Sequence, residues 1–388
     1  DPFFFNIIED DPKKNLKRAT DFYNKNYKRQ NKNIKYTPKQ KINIGYFSAD
    51  FRSHPIMNVM ARVFELHNKE KFNIFAYSFT NREDKYTERL KKSVYCFRDI
   101  TEKDHIESVS LAREDDLDIA IDLMGYTKNN RMEIFSYRVA PIQIHYLCNT
   151  TGSTEMDYFI ADKIVVPEEF KKYYSEKILY MPNCFMCYDN KRKISQKKFI
   201  RKNFNLPNDA FIMAAFHRNI KITIKEINSW ARILRKAKNS IIWISDTNSI
   251  AKENIYKAFK ERLVNLDQIH FAKRMDSSEE HLARHSCADI FVDTFYFNAA
   301  STAMDSLWAG LPVVTVLGRS FNARICSSFL KTLGLESLIA SNIDEYENKV
   351  LELANNPNLV DQLKQNLQNI KETNPLFDST KSTKDLEK

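Results

Sequence analysis

Short apolar runs alternate with polar loops and amphipathic stretches along most of the chain. Ile42-Asn43-Ile44-Gly45-Tyr46-Phe47 reads as a strand, followed by the polar loop Ser48 to His54. Pro55 then opens a helix, because its fixed φ suits the first helical position and its missing N–H costs nothing there. Further strands are predicted near Phe72 to Phe79, at Leu117 to Leu123 ahead of Gly125, and at Ile142 to Leu147, with a helix from about Asn130. The pattern restarts at Phe211 to Phe216 with the loop His217 to Lys221 and an amphipathic helix Thr223 to Lys236. Strands at Ile241 to Ile244, Ile269 to Phe271, Ile290 to Val292 and Val313 to Val316 follow. Strands alternating with helices imply parallel sheets covered on both faces. Two successive α/β halves place a ligand between the carboxyl ends of their sheets, where the polar loops face each other. Ahead of them Leu16, Ala19, Phe22 and Tyr23 mark one amphipathic helix, and the tail after Phe377 reads as frayed.

Composition narrows the class. At 388 residues the chain exceeds the usual size of one core, and 43% apolar with 12% aromatic residues is a globular composition. The net charge of +10 invites a nucleic-acid partner, but Lys alternates with Asp and Glu through most segments, which is the pattern of a solvated surface. The densest basic stretch, Lys191 to Lys202, has only Phe199 as an aromatic and reads as an exposed linker. With no apolar run of membrane-spanning length and no signal core at the N-terminus, a cytoplasmic protein is expected. Six irregularly placed cysteines fit reduced thiols, and the Cys184/Cys187 pair lacks the further ligands of a zinc site.

The candidate chemistry is anion binding. The six glycines form neither GxGxxG nor a P-loop, so phosphates must be held otherwise. Small residues open a helix in Phe297-Asn298-Ala299-Ala300-Ser301-Thr302-Ala303-Met304-Asp305. Its free N–H groups and the hydroxyls of Ser301 and Thr302 suit a diphosphate, although the two hydroxyls equally suit simple helix capping. Lys221 ends the loop after the first strand of the second half; it either supplies a charge to the same phosphates or is a surface lysine. A positioned lysine and a helix N-terminus stabilise a departing nucleotide without a metal. Asp116-Leu117-Asp118 spells DxD but begins a strand instead of ending one, so neither metal nor cofactor is expected. His54 either orients or deprotonates an acceptor hydroxyl or is a solvated loop histidine.

At this point the residues resemble a family. Gly45-Tyr46-Phe47-Ser48-Ala49-Asp50-Phe51-Arg52-Ser53-His54-Pro55 is similar to the opening of the catalytic region of the O-GlcNAc transferase and SPINDLY family. Gly125-Tyr126-Thr127-Lys128, Arg138-Val139-Ala140-Pro141-Ile142-Gln143, Glu279-Glu280-His281, Asp293-Thr294 and Leu307-Trp308-Ala309-Gly310-Leu311-Pro312 follow in the family's order, over roughly residues 10 to 375. The resemblance implies a GT-B fold: an N-terminal Rossmann-like domain over 41–195 on the acceptor side and a nucleotide-sugar domain over 196–375. These are flanked by a helical linker over 1–40 and a flexible tail over 376–388. It implies an inverting, metal-independent transferase that moves a sugar, N-acetylglucosamine first, from a UDP-sugar to Ser/Thr hydroxyls of a polypeptide. His54 and Lys221 become the catalytic candidates. Arg218, Asp276, His281, Arg284, Ser301, Thr302 and Asp305 become the nucleotide-sugar contacts: His281 and Arg284 at the uracil, Ser301 and Thr302 at the phosphates, Asp305 at the ribose. The resemblance also implies tetratricopeptide repeats upstream of the linker.

Departures leave alternatives open. Ala300 stands where the family has a histidine, Arg218 where it has a glutamine, Ser278 where it has a lysine, and Leu147-Cys148-Asn149-Thr150-Thr151 where it has Leu-Gly-Tyr-Pro-Gly. Hexose transfer to Asn or a glycan, and fucose transfer from a GDP donor, are the competing reactions. A silent nucleotide-sugar-binding interaction module is the competing class.

Overall fold

A computed structural model of the chain describes all residues except 1, 29–33, 35, 37 and 81. Part of the expected linker thus lies outside the described residues. The chain forms two compact units. The first comprises Asp1–Asn6, Asp11–Lys191 and Pro375–Lys388, and the second Ile7–Asp10 and Arg192–Asn374. Among the described residues no helix is long and apolar enough to cross a membrane.

In the first unit, helices α1 (Pro2–Phe5) and α2 (Pro12–Asn26) precede the sheet. Strand β1 (Ile42–Ser48) leads to α3 (Pro55–Leu66), β2 (Phe72–Ser78) to α4 (Lys85–Lys91), and β3 (Cys96–Asp99) to α5 (His105–Glu114). Then come β4 (Ile119–Asp122), α6 (Met132–Ser136), β5 (Ile142–His145), β6 (Tyr158–Ala161) and β7 (Lys177–Tyr180). Among the described residues these seven strands form one parallel sheet, in the order β3-β2-β1-β4-β5-β6-β7. The order reverses between β1 and β4, whose carboxyl ends carry the His54 and Gly125 loops.

In the second unit, β8 (Phe211–Ala215), α7 (Ile224–Lys236), β9 (Ser240–Ser245), α8 (Ser249–Lys260), β10 (Ile269–Ala272) and α9 (Ser278–Ala283) lead to β11 (Ile290–Val292). α10 (Ser301–Trp308), β12 (Val313–Val316), α11 (Ile325–Leu333), β13 (Ile339–Ala340), α12 (Ile343–Asn355) and α13 (Pro357–Ile370) complete it. Its six strands are parallel in the order β10-β9-β8-β11-β12-β13, reversing between β8 and β11. The central strands are continuous apolar runs because helices cover both faces: Ile290, Phe291 and Val292 are wholly buried, as are Val313 and Val314. Each such side chain contributes about 1.5–3 kcal/mol by leaving water. Helix α7 buries Ile227, Trp230, Ala231, Ile233 and Leu234 along one stripe, and Trp230 donates its indole N–H to Tyr346 of α12 at 3.2 Å.

Two expectations are corrected and a third gains anchors. The helix expected from Asn130 is only the five residues of α6, because Arg138 at φ +56° turns the chain and Pro141 follows. The tail expected to fray forms α14 (Ser379–Leu386), capped by Asp378, whose buried Ser379 hydroxyl donates to the Tyr188 carbonyl at 2.7 Å. The basic stretch expected to be an exposed linker is largely exposed and irregular, and it is anchored at both ends. Arg192 is buried on Asp305, and Arg201 clasps the Asp289 carboxylate at 2.7 and 2.9 Å.

Helix α2 belongs to the first unit's core, where Ala19 and Tyr23 pack with Phe47, Tyr77 and Tyr126. Gly152, at φ +64°, makes this docking possible, since a β-carbon there would stand 2.2 Å from the Thr20 nitrogen and 2.4 Å from the Ala19 carbonyl carbon. Gly152→Ala should therefore cost about 1–3 kcal/mol or more, read as a lower urea midpoint with early proteolysis of residues 12–26. An unchanged midpoint would show that α2 yields without cost.

Candidate active site

Lys221 and the amino end of α10 meet where the strand order of the second unit reverses. Lys221 closes the turn that leaves β8, and α10 begins after the loop that leaves the neighbouring strand β11. Ligands of open parallel sheets bind at such a crevice, outside the carboxyl ends of the strands.

The local sequence builds both sides. On the β8 side, Thr223 caps α7 and Glu226 returns to the Thr223 N–H at 2.7 Å, a capping box that fixes where the turn ends. The other oxygen of buried Glu226 accepts the Phe295 N–H at 2.8 Å, tying this turn to the loop after β11. On the β11 side, Asp293 is fully buried and accepts the N–H groups of Thr294 at 2.8 Å and Ala299 at 2.7 Å and the Thr315 hydroxyl at 2.7 Å. The loop thus curls back on its first residue, and Asn298 secures it by donating to the Thr294 carbonyl at 2.7 Å.

The capping alternative for Ser301 and Thr302 can be decided. The residue preceding the helix is Ala300, which has no side-chain cap, while Ser301 and Thr302 occupy the first helical positions and are half-buried. The first N–H groups of the eight-residue helix have no intrahelical acceptor, so this end is a partial positive pole. Beside it the Lys221 ammonium donates to the Asn298 carbonyl at 2.9 Å and lies 3.9 Å from the centre of the Phe297 ring. Burial brings the Lys221 pKa down to about 8; Asp293 and Cys326 oppose this and Arg218 adds to it. Burial also lifts Asp293 to about 6, although Cys326, Ala299, Thr315 and Thr294 all bond to it.

The remaining expected contacts divide. His281, Arg284 and His285 cluster with Phe216 at the end of β8: the Arg284 guanidinium lies 4.2 Å from the centre of the Phe216 ring and donates to the Lys273 carbonyl at 2.7 Å. Burial lowers Arg284 to about 10 and His285 to about 3, and holds His281 well below its ordinary value with help from His285, Arg284 and Arg192. The histidines are therefore neutral near pH 7. Arg218 is exposed and lines a groove of roughly 530 Å³ together with Asn219, Thr223, Thr247 and Asn248. Asp276 is exposed in the loop before α9. Asp305 lies 4% exposed inside α10, where its carboxylate is held by the buried Arg192 guanidinium, with the second contact at 3.3 Å. The roles of Arg192, Asn298 and Asp293 have no local signal in the sequence, whereas Glu226 has one, the Thr223-x-x-Glu226 box.

In the first unit, His54 caps α3, its Nδ1 accepting the Ile56 N–H at 3.3 Å and lying 3.4 Å from the Asp50 carboxylate. The two contacts call for opposite tautomers. Capping leaves the proton on Nε2, whereas donation to Asp50 from Nδ1–H leaves Nε2 basic. Asp50 also pairs with Arg52 at 2.9 Å, and burial raises its pKa against that pairing. The DxD carboxylates lie at the opposite, amino end of β4, each 3.0 Å from the Lys39 ammonium. None of the six cysteines is in a disulfide; Cys184 and Cys187 are buried, and burial raises the Cys187 thiol to about 12.

The family model of glycosyl transferase family 41 matches residues 11–200 and 194–386. A probable UDP-N-acetylglucosamine–peptide N-acetylglucosaminyltransferase SEC of Arabidopsis thaliana is 32% identical over 358 residues, 90% of this chain and 36% of the relative. A SPINDLY protein of Solanum lycopersicum bearing the same probable activity in its name is 29% identical over 360 residues, 90% of this chain and 38% of the relative. The chain thus spans little more than a third of these relatives. A mutant O-GlcNAc transferase of Thermobaculum terrenum superimposes with a TM-score of 0.88 at 24% identity, over 97% of this chain and 73% of that one, which establishes the GT-B fold.

Proposed function

The chain belongs to glycosyl transferase family 41, and on that premise we propose that it transfers a sugar, N-acetylglucosamine first, from a UDP donor to Ser or Thr hydroxyls of a polypeptide. The observation that supports this most is the convergence of Lys221 and the amino end of α10 at the reversal of the β8/β11 strand order. A hydroxyl attacks the anomeric carbon in line as the bond to the β-phosphate breaks, which inverts the configuration. The charge gathering on UDP falls between an ammonium and a positive helix end, both in place before the reaction, so a metal is not required. Arg284 and neutral His281 suit an uncharged base, and Ser301 and Thr302 suit the phosphates. A ribose hydroxyl could donate to Asp305 without displacing Arg192, because a carboxylate accepts at more than two positions. His54 acts on the acceptor in the tautomer that donates to Asp50. Reduced thiols fit a cytoplasmic setting, and tetratricopeptide repeats in the whole protein would present the polypeptide.

Incubation with radiolabelled UDP-N-acetylglucosamine, UDP-glucose and GDP-fucose, a serine-rich peptide and excess EDTA tests the reading. The expected result is EDTA-resistant label from UDP-N-acetylglucosamine on peptide hydroxyls. Label from another donor would replace the sugar, and binding of UDP without transfer or donor hydrolysis would favour an interaction module.

A further inference from the structure

The buried carboxylate of Asp293 is unexplained by packing alone. Its three hydrogen bonds reach both ends of the loop between β11 and α10 and the neighbouring strand β12, so one side chain determines where α10 begins. The same loop offers the Asn298 carbonyl on which Lys221 rests. We propose that Asp293 is the positioning residue of the diphosphate site: it folds the 294–300 loop onto the amino end of α10 and supplies the counter-charge of Lys221. The assignment rests on the nucleotide-sugar reading only in naming the anion as a diphosphate.

Lys221 is faced by Arg218 and neutral His217 on its own loop, by Asp293 at the end of β11 and by Cys326 on α11. Asp293 is faced by Lys221 and Cys326, by the Thr315 hydroxyl, and by Tyr346 of α12, whose hydroxyl donates to the Asp293 carbonyl at 3.4 Å. Glu226 of α7 is engaged by Thr223 and the Phe295 N–H. Asp293 is the carboxylate that offsets the cost of burying the Lys221 charge, and an anionic ligand needs that charge in place.

The sign follows. Lys221 is cationic below about pH 8. Asp293→Asn keeps the acceptor for the two N–H groups but removes the negative charge, so burial pushes the lysine lower and the cation is lost at a lower pH. UDP affinity, measured calorimetrically on the full chain, should fall about five- to tenfold near pH 8 and return to within about twofold near pH 6, where Lys221 is charged in both proteins. In a Lys221→Met background the same substitution should have little further effect. Competitive acetylation of Lys221 across pH, with no ligand present, should show the lysine pKa falling by about one unit in Asp293→Asn. Thr315→Val, which removes one donor to the carboxylate, should move it the same way by less and serves if Asp293→Asn does not fold. A loss of affinity equal at every pH and additive with Lys221→Met, or an unmoved lysine pKa, would overturn the assignment. If UDP binds the unaltered chain at no pH while the acetylation shift appears, the nucleotide reading fails and the role of Asp293 stands.

Discussion

Replacing Lys221 by methionine is expected to lower the turnover of sugar transfer by about 10²–10³-fold, the usual consequence of removing one preorganised donor from a developing anion. The same substitution should change thermal stability little near pH 7, because it removes a buried charge that opposes folding and, in the other direction, the counter-charge of buried Asp293. Burial depresses the Lys221 pKa from its ordinary value to about 8, so between there and the ordinary lysine range the unfolded chain binds more protons than the folded one. Stability tied to this group therefore rises with pH through that window, and at neutral pH the buried charge opposes folding. Methionine keeps the stem and removes the charge. Activity and melting temperature, measured on the same preparation, separate the two effects; a variant that melts earlier and is inactive for that reason would contradict the assignment.

The second large effect is on the fold. Asp305→Asn should destabilise the second unit by about 3–5 kcal/mol, because it removes the carboxylate charge that pairs with the 8%-exposed Arg192 guanidinium. For a unit of this size that is a fall in its melting temperature on the order of 10 °C. If Asp305 also receives a ribose hydroxyl, the apolar pair Arg192→Met with Asp305→Leu should recover most of the stability and none of the nucleotide affinity. A single variant of ordinary stability with weakened UDP binding would mean that the ion pair contributes little and that the ribose contact is the whole role.

Lys221 and the Ser301-Thr302 helix start could be read from the sequence because their signals are local: a polar turn after one apolar run and small residues after another. So could the buried strands β11, an unbroken apolar run, and β12, apolar except for Thr315. Strand β3 escaped because Cys96-Phe97-Arg98-Asp99 is half polar, on a sheet edge where only one neighbour covers it. Strand β7, also at an edge, alternates exposed and half-buried positions over only four residues. The expected frayed tail was polar in sequence, yet Ser379 and Thr383 sit in a buried contact that composition does not reveal. Arg192 and Asp305 are 113 positions apart, and no periodicity connects them. Asp293 was visible only as one letter of a family match, since its bonds to Ala299 and Thr315 exist only once the loop has closed.

Sugar transfer by this chain requires a pyrophosphate held in the second unit between the Lys221 ammonium and the amino end of α10. A crystal structure of the chain grown with UDP tests this most directly. Phosphate oxygens within hydrogen-bonding distance of the Lys221 Nζ and of the Ser301 and Thr302 N–H groups are the predicted result. UDP bound with its phosphates elsewhere, leaving those donors to solvent, would contradict it.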